Sequence, residues 1–202
     1  MQIAIFDYGA GNLHSLVKAI SGVNGRVVST ESDVRAALRA DVLVLPGVGA
    51  FGAAATAMRG AQQDLRSALA DGQPCLGICL GMQILFDASE ESAGDGIGLI
   101  PGKVRRLRTT KVPHMGWNDI EWAAPQSVNG EPHIDTAYFA NAFVCEPAEE
   151  SSVLAWTNHE DVRFASVVRR ANTVGVQFHP EKSSLAGRAF VNAVIEDLIR
   201  CR

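Results

Sequence analysis

The chain contains the stretch Pro74-Cys75-Leu76-Gly77-Ile78-Cys79-Leu80-Gly81-Met82-Gln83, in which an apolar segment meets a helical pattern. Residues 74–78 predict a buried strand, and residues 80–86 predict a helix. A buried strand that passes at once into a helix is typical of a parallel sheet covered on both faces. Cys79 occupies the turn between the two elements, so the same stretch bears on the fold and on the chemistry.

The N-terminal half repeats this alternation, and the C-terminal half is rich in strand patterns. Strands are predicted at 3–7, 26–29 and 42–45, and helices at 12–22, 32–39 (capped by Ser32), 51–59 and 62–70. A polar loop, 89–98, leads to strands at 103–107, 118–122, 137–144, 153–157, 164–168 and 173–178 and to a helix over 184–200. We expect one α/β domain over residues 1–202, with three layers and a mixed, mostly parallel sheet flanked by helices.

Composition and charge exclude several classes of protein. The 202 residues, 47% hydrophobic and 20% charged, suit one globular domain. A net charge of −4 without a basic block argues against nucleic acid as a partner. The strand-like start is not that of a signal peptide, and no apolar stretch is long enough to span a membrane.

The four cysteines favour a reducing compartment, and we expect a cytoplasmic protein. They are too few and too scattered for a disulfide framework in a chain of this length. No Cys or His pairs stand at zinc spacing, so no metal and no cofactor is expected.

Cys79 has the setting of a nucleophile. Gly77 and Gly81 flank it, as a strained turn between a strand and a helix requires. At the amino end of the helix, the dipole and free N–H groups favour the reactive thiolate. The alternative is a small buried core cysteine, which is the interpretation we give to Cys75.

His179 is the candidate base for Cys79. It follows the predicted strand 173–178, and a carboxylate stands two residues later, at Glu181. If the turn folds back, Glu181 accepts the imidazole N–H and fixes the tautomer. The alternative is a surface turn with a capping glutamate. The other histidines that compete for the role are His14, His114, His133 and His159.

A glycine loop, Gly47-Val48-Gly49-Ala50-Phe51-Gly52, matches the dinucleotide-binding pattern G-x-G-x-x-G. It follows the third predicted strand rather than the first, and Pro46 interrupts the turn. Exposed N–H groups of such a loop can instead stabilise an oxyanion. We therefore expect an oxyanion hole formed by the N–H groups of Leu80 and Val48.

These segments together resemble the class I (triad) glutamine amidotransferases, and within them the glutaminase subunits of imidazole glycerol phosphate synthase. The resemblance covers residues 3–200. It is carried by Asp7-Tyr8-Gly9-Ala10-Gly11-Asn12, Pro46-Gly47-Val48-Gly49-Ala50-Phe51-Gly52, Gly77-Ile78-Cys79-Leu80-Gly81-Met82-Gln83, Pro113-His114-Met115-Gly116-Trp117-Asn118 and Gln177-Phe178-His179-Pro180-Glu181-Lys182-Ser183.

The resemblance implies an activity and roles for the residues of the triad. Cys79 would attack the glutamine side-chain amide, His179 would move the proton, and Glu181 would orient His179. Gly47, Gly49 and Gln83 belong to segments that hold glutamine in the family.

The resemblance also implies a partner. Ammonia would pass to a (β/α)₈-barrel cyclase subunit, which makes imidazole glycerol phosphate and an aminoimidazole carboxamide ribotide in histidine biosynthesis. The candidate interface residues are Asn12, Trp117 and Lys182. Each has an alternative interpretation: Asn12 as a helix cap, Trp117 as a core aromatic residue and Lys182 as a solvated charge.

Two segments depart from the family pattern. Tyr138-Phe139-Ala140-Asn141-Ala142-Phe143 stands where the family has Tyr-Phe-Val-His-Ser-Tyr, and Asn158-His159-Glu160-Asp161 replaces a Tyr-Gly turn. The first change matters if side chains rather than backbone hold glutamine there. Two alternatives stay open: another triad amidotransferase or cysteine hydrolase, and a binding subunit that has lost its chemistry.

Overall fold

The computed structural model describes residues 1–9, 13–22, 25–47, 49–123 and 132–201. The strands are β1 (Gln2–Phe6), β2 (Val27–Glu31), β3 (Val42–Leu45), β4 (Cys75–Ile78), β5 (Ala88–Ser89), β6 (Gly102–Arg106), β7 (His114–Asp119), β8 (Glu121–Trp122), β9 (Thr136–Asn141), β10 (Phe143–Pro147), β11 (Val153–His159), β12 (Val162–Arg170) and β13 (Thr173–Val176). The α-helices are α1 (His14–Ser21), α2 (Val34–Ala37), α3 (Phe51–Ala57), α4 (Gln62–Ala70), α5 (Leu80–Gln83) and α6 (Ser184–Arg200).

Eight strands form the central sheet, in the order β2-β1-β3-β4-β13-β12-β11-β8. The strands from β2 to β13 in this order pair in parallel, and the remaining pairs are antiparallel. Two smaller sheets, β10-β6-β5 and β7-β9, belong to the C-terminal half. The expectation of a mixed, mostly parallel sheet with a strand-rich C-terminal half is confirmed.

Helices cover both faces of the central sheet. Successive residues of β1 and β3 point to opposite sides, so Phe6 and Leu45 join one apolar cluster while Ile5 and Val44 join another. The first cluster packs against α2, α3, α4 and α5, and the second packs against α1 and α6. Burying one such large side chain typically stabilises the fold by about 1.5–3 kcal/mol. The three-layer expectation is therefore confirmed.

The parallel half of the sheet also decides where polar groups can meet. β1, β3, β4 and β13 are neighbours, so their carboxyl ends lie at one edge of the sheet. The segments that follow them begin at Asp7, Pro46, Cys79 and Gln177. Ligands of open α/β sheets bind at this edge, beyond the ends of the strands.

The predicted strand 137–144 was wrong, because the chain breaks at Ala142 into β9 and β10, which belong to different sheets. Asn141 is buried, and its side-chain amide donates to the carbonyl of Phe143 at 3.1 Å, which forms a local turn. The carbonyl of Ala142 accepts instead from Leu107 N at 2.9 Å. Alternation of apolar residues alone does not reveal such a side-chain turn.

Other element boundaries also differ from the prediction, and several of the differences have a clear cause. The predicted strand 118–122 had the wrong bounds, because it joins the end of β7 to β8, which belongs to another sheet. The start of β7 was missed because Pro113 and Gly116 interrupt its strand pattern, although six residues of β7 pair with β9. The cap of α2 is Asp33 rather than Ser32, and its carboxylate accepts from Ala36 N at 2.8 Å. α5 ends at Gln83 because chain segment 96–98 supplies donors to the carbonyls beyond it.

None of the helices that the structure describes combines the length and the hydrophobicity needed to cross a bilayer.

Candidate active site

Cys79 lies on a strained turn between β4 and α5. Its φ of 48° and ψ of −104° are values that residues other than glycine rarely adopt. Its backbone N–H donates to Val176 O on the neighbouring strand at 2.7 Å, which anchors the turn to the sheet. The side chain is only 7% exposed.

The two flanking glycines are required by close packing of the turn. A Cβ added to Gly81 would lie 1.9 Å from the carbonyl oxygen of Leu45, at the end of β3. A Cβ on Gly77 would lie 2.6 Å from the carbonyl oxygen of Gly81. Both positions are therefore closed to any side chain, as the pattern Gly-x-Cys-x-Gly predicts.

His179 follows β13 and lies beside Cys79. Its backbone N–H donates to Tyr138 O at 2.8 Å, and its ring is buried. Nδ1 of the ring hydrogen-bonds with Oε1 of Glu181 at 2.8 Å, and the ring also hydrogen-bonds with the Cys79 side chain. Since Nδ1 is engaged by the carboxylate, Nε2 is the nitrogen left for the sulfur.

Glu181 reaches His179 because the chain makes a 3-10 turn, Pro180–Lys182, directly after the histidine. Proline occupies the first position of this turn, where its fixed φ suits the reversal of the chain. The Glu181 side chain is only 8% exposed, so water screens its attraction for the ring little. The structure thus brings Cys79, His179 and Glu181 together.

Charge in this cluster favours an ionised pair of sulfur and imidazole. Burial lowers the pKa of His179, but hydrogen bonds and charge interactions with Cys79 and Glu181 outweigh burial and raise it to about 9. His179 is therefore protonated at neutral pH when the sulfur is negative. An imidazolium beside a cysteine is the environment that stabilises a thiolate.

The glycine loop after β3 faces the same cluster. A Cβ on Gly47 would lie 3.0 Å from the Cβ of Cys79 and 3.1 Å from Cε1 of His179. Leu80 is the first residue of α5, so its N–H has no acceptor within that helix. Val48, the other predicted oxyanion donor, lies outside the described residues. Gly49 is exposed and has a φ of 106°.

Gln83 lies behind the nucleophile on α5 and is 5% exposed. Its Nε2 donates to Phe143 O at 3.2 Å and to Oε1 of Gln177 at 3.4 Å. Nε2 of Gln177 in turn lies 3.6 Å from Sγ of Cys79. Gln177 stood in a motif that the sequence singled out, but nothing in the pattern assigned it a contact with the sulfur.

Two more residues near the loop were missed from the sequence. The buried hydroxyl of Tyr8 donates to the carbonyl of Pro46, which opens the glycine loop. Glu91, from the polar loop 89–98, accepts from Phe51 N at 2.8 Å at the start of α3. Only the three-dimensional structure shows that these residues hold the two ends of the loop.

The competing residues have other surroundings. His114 is buried and stacks on Phe139 and His159, and His133 pairs with Asp135. Burial raises the pKa of the Cys75 thiol far above its usual value, in agreement with a core role. Within the described ranges, no group of three or more His, Cys, Asp or Glu side chains is arranged to hold a metal ion.

Two of the predicted interface residues have side chains at the surface. Trp117 on β7 is 56% exposed, and Lys182 at the end of the 3-10 turn is exposed. The core interpretation of Trp117 is therefore wrong. Asn12 lies outside the described residues.

Comparison with solved structures identifies the fold. A crystal structure titled as a glutamine amidotransferase matches with a TM-score of 0.73 and 16% identity, covering 98% of both chains. The structure titled PurLQS from Thermotoga maritima matches with a TM-score of 0.74 and 19% identity, again covering 98% of both chains.

Comparison with curated sequences gives much higher identity. The imidazole glycerol phosphate synthase subunit HisH of Microcystis aeruginosa is 40% identical over 195 residues, which cover 92% of this chain and 90% of the relative. The subunit of the same name from Synechocystis is also 40% identical, over 92% of this chain and 91% of its own. The sequence model of the family Glutamine amidotransferase class-I matches residues 4–195. With this match over nearly its whole length, the chain belongs to the class I glutamine amidotransferase family.

Proposed function

We propose that the chain is the glutaminase subunit of an imidazole glycerol phosphate synthase, which hydrolyses glutamine and supplies ammonia to a cyclase subunit. The observation that carries the proposal is the Cys79–His179–Glu181 cluster at the carboxyl edge of the sheet, with its 2.8 Å bond between His179 and Glu181. The HisH relatives, 40% identical over most of the chain, support the narrower choice among amidotransferases.

The proposed reaction proceeds through a thioester. The Cys79 sulfur forms a bond to the carboxamide carbon of glutamine while the carbonyl oxygen takes up the negative charge. When the tetrahedral intermediate collapses, the C–N bond breaks, and His179 gives its proton to the departing ammonia. Water then attacks the thioester with His179 as the base, which releases glutamate and returns the sulfur.

Each remaining group has a role in this scheme. Glu181 orients the ring and stabilises its positive charge. The N–H groups of Leu80 and Val48 are the proposed donors to the oxyanion, and loss of one such donor typically costs about 3–4 kcal/mol of barrier. Gly47, Gly49 and Gln83 are the proposed contacts for glutamine. Gly47 supports this assignment because its backbone lies against both Cys79 and His179.

The partner belongs to the same proposal. A (β/α)₈-barrel cyclase would receive the ammonia and make imidazole glycerol phosphate and an aminoimidazole carboxamide ribotide. Exposed Met115 and Trp117 stand two residues apart on one face of β7 and support a protein interface there. Asn12 and Lys182 complete the proposed contacts. The proposed location is the cytoplasm, which the unpaired cysteines support.

Replacement of the nucleophile tests the proposal directly. We expect Cys79→Ser to fold and to bind the cyclase, but to lose glutamine-dependent synthesis by about 10³-fold or more. Synthesis supported by added ammonium salt should persist, because the cyclase needs only ammonia. The measurements are glutamate release and imidazole glycerol phosphate formation by the complex.

The matched control is Cys201→Ser, the same substitution at an exposed cysteine outside the site. It should leave both activities unchanged. Glutaminase activity that survives in Cys79→Ser contradicts the mechanism. Activation by a different synthase, with no response to the cyclase, assigns the chain to another triad amidotransferase. A wild-type chain that a glutamine-analogue electrophile fails to label, even with the cyclase present, is a binding subunit.

A further inference from the structure

A line of buried amides runs from the backbone of β10 to the sulfur of Cys79. Nε2 of Gln83 donates to Phe143 O at 3.2 Å and to Oε1 of Gln177 at 3.4 Å. Nε2 of Gln177 lies 3.6 Å from the Cys79 Sγ, within hydrogen-bond range of a sulfur acceptor. Gln177 is 0% exposed and Gln83 is 5% exposed, so this line is shielded from bulk solvent.

The orientation of both amides follows from one backbone carbonyl. Phe143 O can only accept, so the group of Gln83 that faces it must be the NH₂. The second hydrogen of that NH₂ requires an acceptor, which must be the oxygen of Gln177. Because the oxygen of Gln177 faces Gln83, the NH₂ of Gln177 is the group that faces the sulfur.

We propose that Gln177 is a further catalytic residue, which donates a hydrogen bond to the Cys79 thiolate, and that Gln83 is a positioning residue that holds Gln177 in this orientation. The inference rests on the proposed function, since it concerns the same nucleophile. A buried N–H that points at a sulfur stabilises the anion more than the neutral thiol, because the bond to a charged acceptor is stronger. His179 and Gln177 then supply two separate donors to one thiolate.

The other titratable groups around the sulfur do not supply this donor. His179 hydrogen-bonds with the sulfur, with Glu181 behind it. Tyr8 and Cys145 also interact electrostatically with Cys79, and burial, followed by the charge on the sulfur, raises the pKa of each well above its usual value. Both groups are therefore neutral near pH 7, and the hydroxyl of Tyr8 already donates to Pro46 O.

The pH dependence of Cys79 alkylation by iodoacetamide tests the donor without requiring glutamine turnover. Gln177→Glu keeps the acceptor for Gln83 but turns an oxygen toward the sulfur, and Gln177→Met removes both polar groups at similar volume. We expect the pH midpoint of the alkylation rate to rise by about one unit in Gln177→Met, and further in Gln177→Glu. Mass spectrometry of the peptide that contains Cys79 separates this reaction from alkylation of exposed Cys201.

Gln83→Leu tests the positioning role. It should raise the same midpoint by less than Gln177→Met does, because Gln177 keeps its NH₂ but loses the partner that directs it. Iodoacetamide alkylation does not depend on glutamine binding, so this readout is independent of any contact between Gln83 and the substrate.

The matched control is Gln73→Glu, the same change of amide to carboxylate at the opposite end of β4, where Gln73 donates to Ala40 O at 2.9 Å. Its midpoint should equal that of the wild type. Folded Gln177 variants, checked by circular dichroism, whose midpoint also equals that of the wild type overturn the inference and leave the proposed function intact. A wild-type Cys79 that does not react with iodoacetamide at all contradicts the proposed function itself.

Discussion

At the scale of single residues, the charge of His179 depends on its two neighbours. Burial alone would keep the ring neutral at pH 7, because a buried imidazolium loses its hydration. Hydrogen bonds to Cys79 and Glu181 reverse that preference and raise the pKa to about 9. The reactive state is thus a property of the cluster rather than of the cysteine alone.

This dependence predicts how His179 titrates in variants. Cys79→Ser replaces the thiolate with a hydroxyl that stays neutral, which removes a negative charge beside the imidazolium. Glu181→Gln removes the negative partner of Nδ1. Each change should therefore lower the pKa of His179 from its value of about 9. The measurement is a pH titration of the ring resonances by NMR. The internal reference is His114, whose pKa burial and the nearby His159 lower to about 4 and which should titrate identically in both variants. A titration curve of His179 that is unchanged in both variants would show that Cys79 and Glu181 do not determine the charge of His179.

The sequence predicts the catalytic residues well because each stands in a short motif. Glycines at 77 and 81 and the pair His179 and Glu181 lie within local turns, where a steric or hydrogen-bonding requirement is visible as a pattern. Gln177 was not assigned a role, because its contact with Cys79 is made across two neighbouring strands of the sheet. No local rule says which strand ends become neighbours.

At the scale of elements, the antiparallel pair of β7 and β9 links the surface to the site. Trp117 on β7 is paired in register with Tyr138 on β9. The carbonyl of Tyr138 accepts from His179 N at 2.8 Å, and the backbone N–H of Tyr138 donates to the hydroxyl of Ser183 at 2.9 Å. The first four residues of β7 escaped prediction because their place in a strand depends on pairing with β9 rather than on their own strand propensity.

His114 makes this pair of strands sensitive to acid. Burial, with a smaller effect of the His159 charge, lowers the pKa of His114 to about 4, below the usual 6.5. Between these values the unfolded chain binds more protons than the folded one, so stability falls as pH falls from about 6.5 through 4. We expect the contribution to the free energy of unfolding lost at pH 5 to be on the order of 1 kcal/mol.

Urea unfolding at pH 7 and at pH 5 measures this effect. His114→Gln should be less stable than the wild type at pH 7, because it loses the ring stacking on Phe139 and His159. It should also lose less stability on acidification, because it has no group to protonate at that position. An equal loss in both proteins would show that other groups account for the acid sensitivity.

At the scale of the whole molecule, the sequence predicts the layered α/β architecture better than the division of its strands among sheets. Alternating strands and helices imply a covered parallel sheet through local patterns alone. The eight-stranded order, and the separation of β9 and β10 into two smaller sheets, depend on contacts between distant segments. The same division applies to the site. Its reactive residues are predictable because they stand in short sequence motifs, whereas the contacts that support them join distant segments and are not predictable.

The last prediction concerns the proposed partner. Trp117 and Met115 expose apolar surface on β7, which pairs with β9. On β9, the carbonyl of Tyr138 accepts from the backbone N–H of His179, so a static chain of contacts joins this surface to the site. We expect the isolated chain to turn over glutamine slowly and to be activated by the cyclase. Trp117→Ala should weaken cyclase binding about tenfold or more, because a tryptophan buried on binding is often a dominant contact.

Calorimetric titration with the cyclase, together with glutamate release at saturating cyclase, measures binding and activation separately. The control is Val27→Ala on the edge strand β2. Val27 is 63% exposed, like Trp117 an exposed apolar residue, but it lies at the amino end of the sheet, opposite the site. This variant should match the wild type in both assays. If Trp117→Ala binds and is activated like the wild type, β7 is not the docking surface. If the isolated wild-type chain turns over glutamine as fast as the complex, the site is complete without a partner.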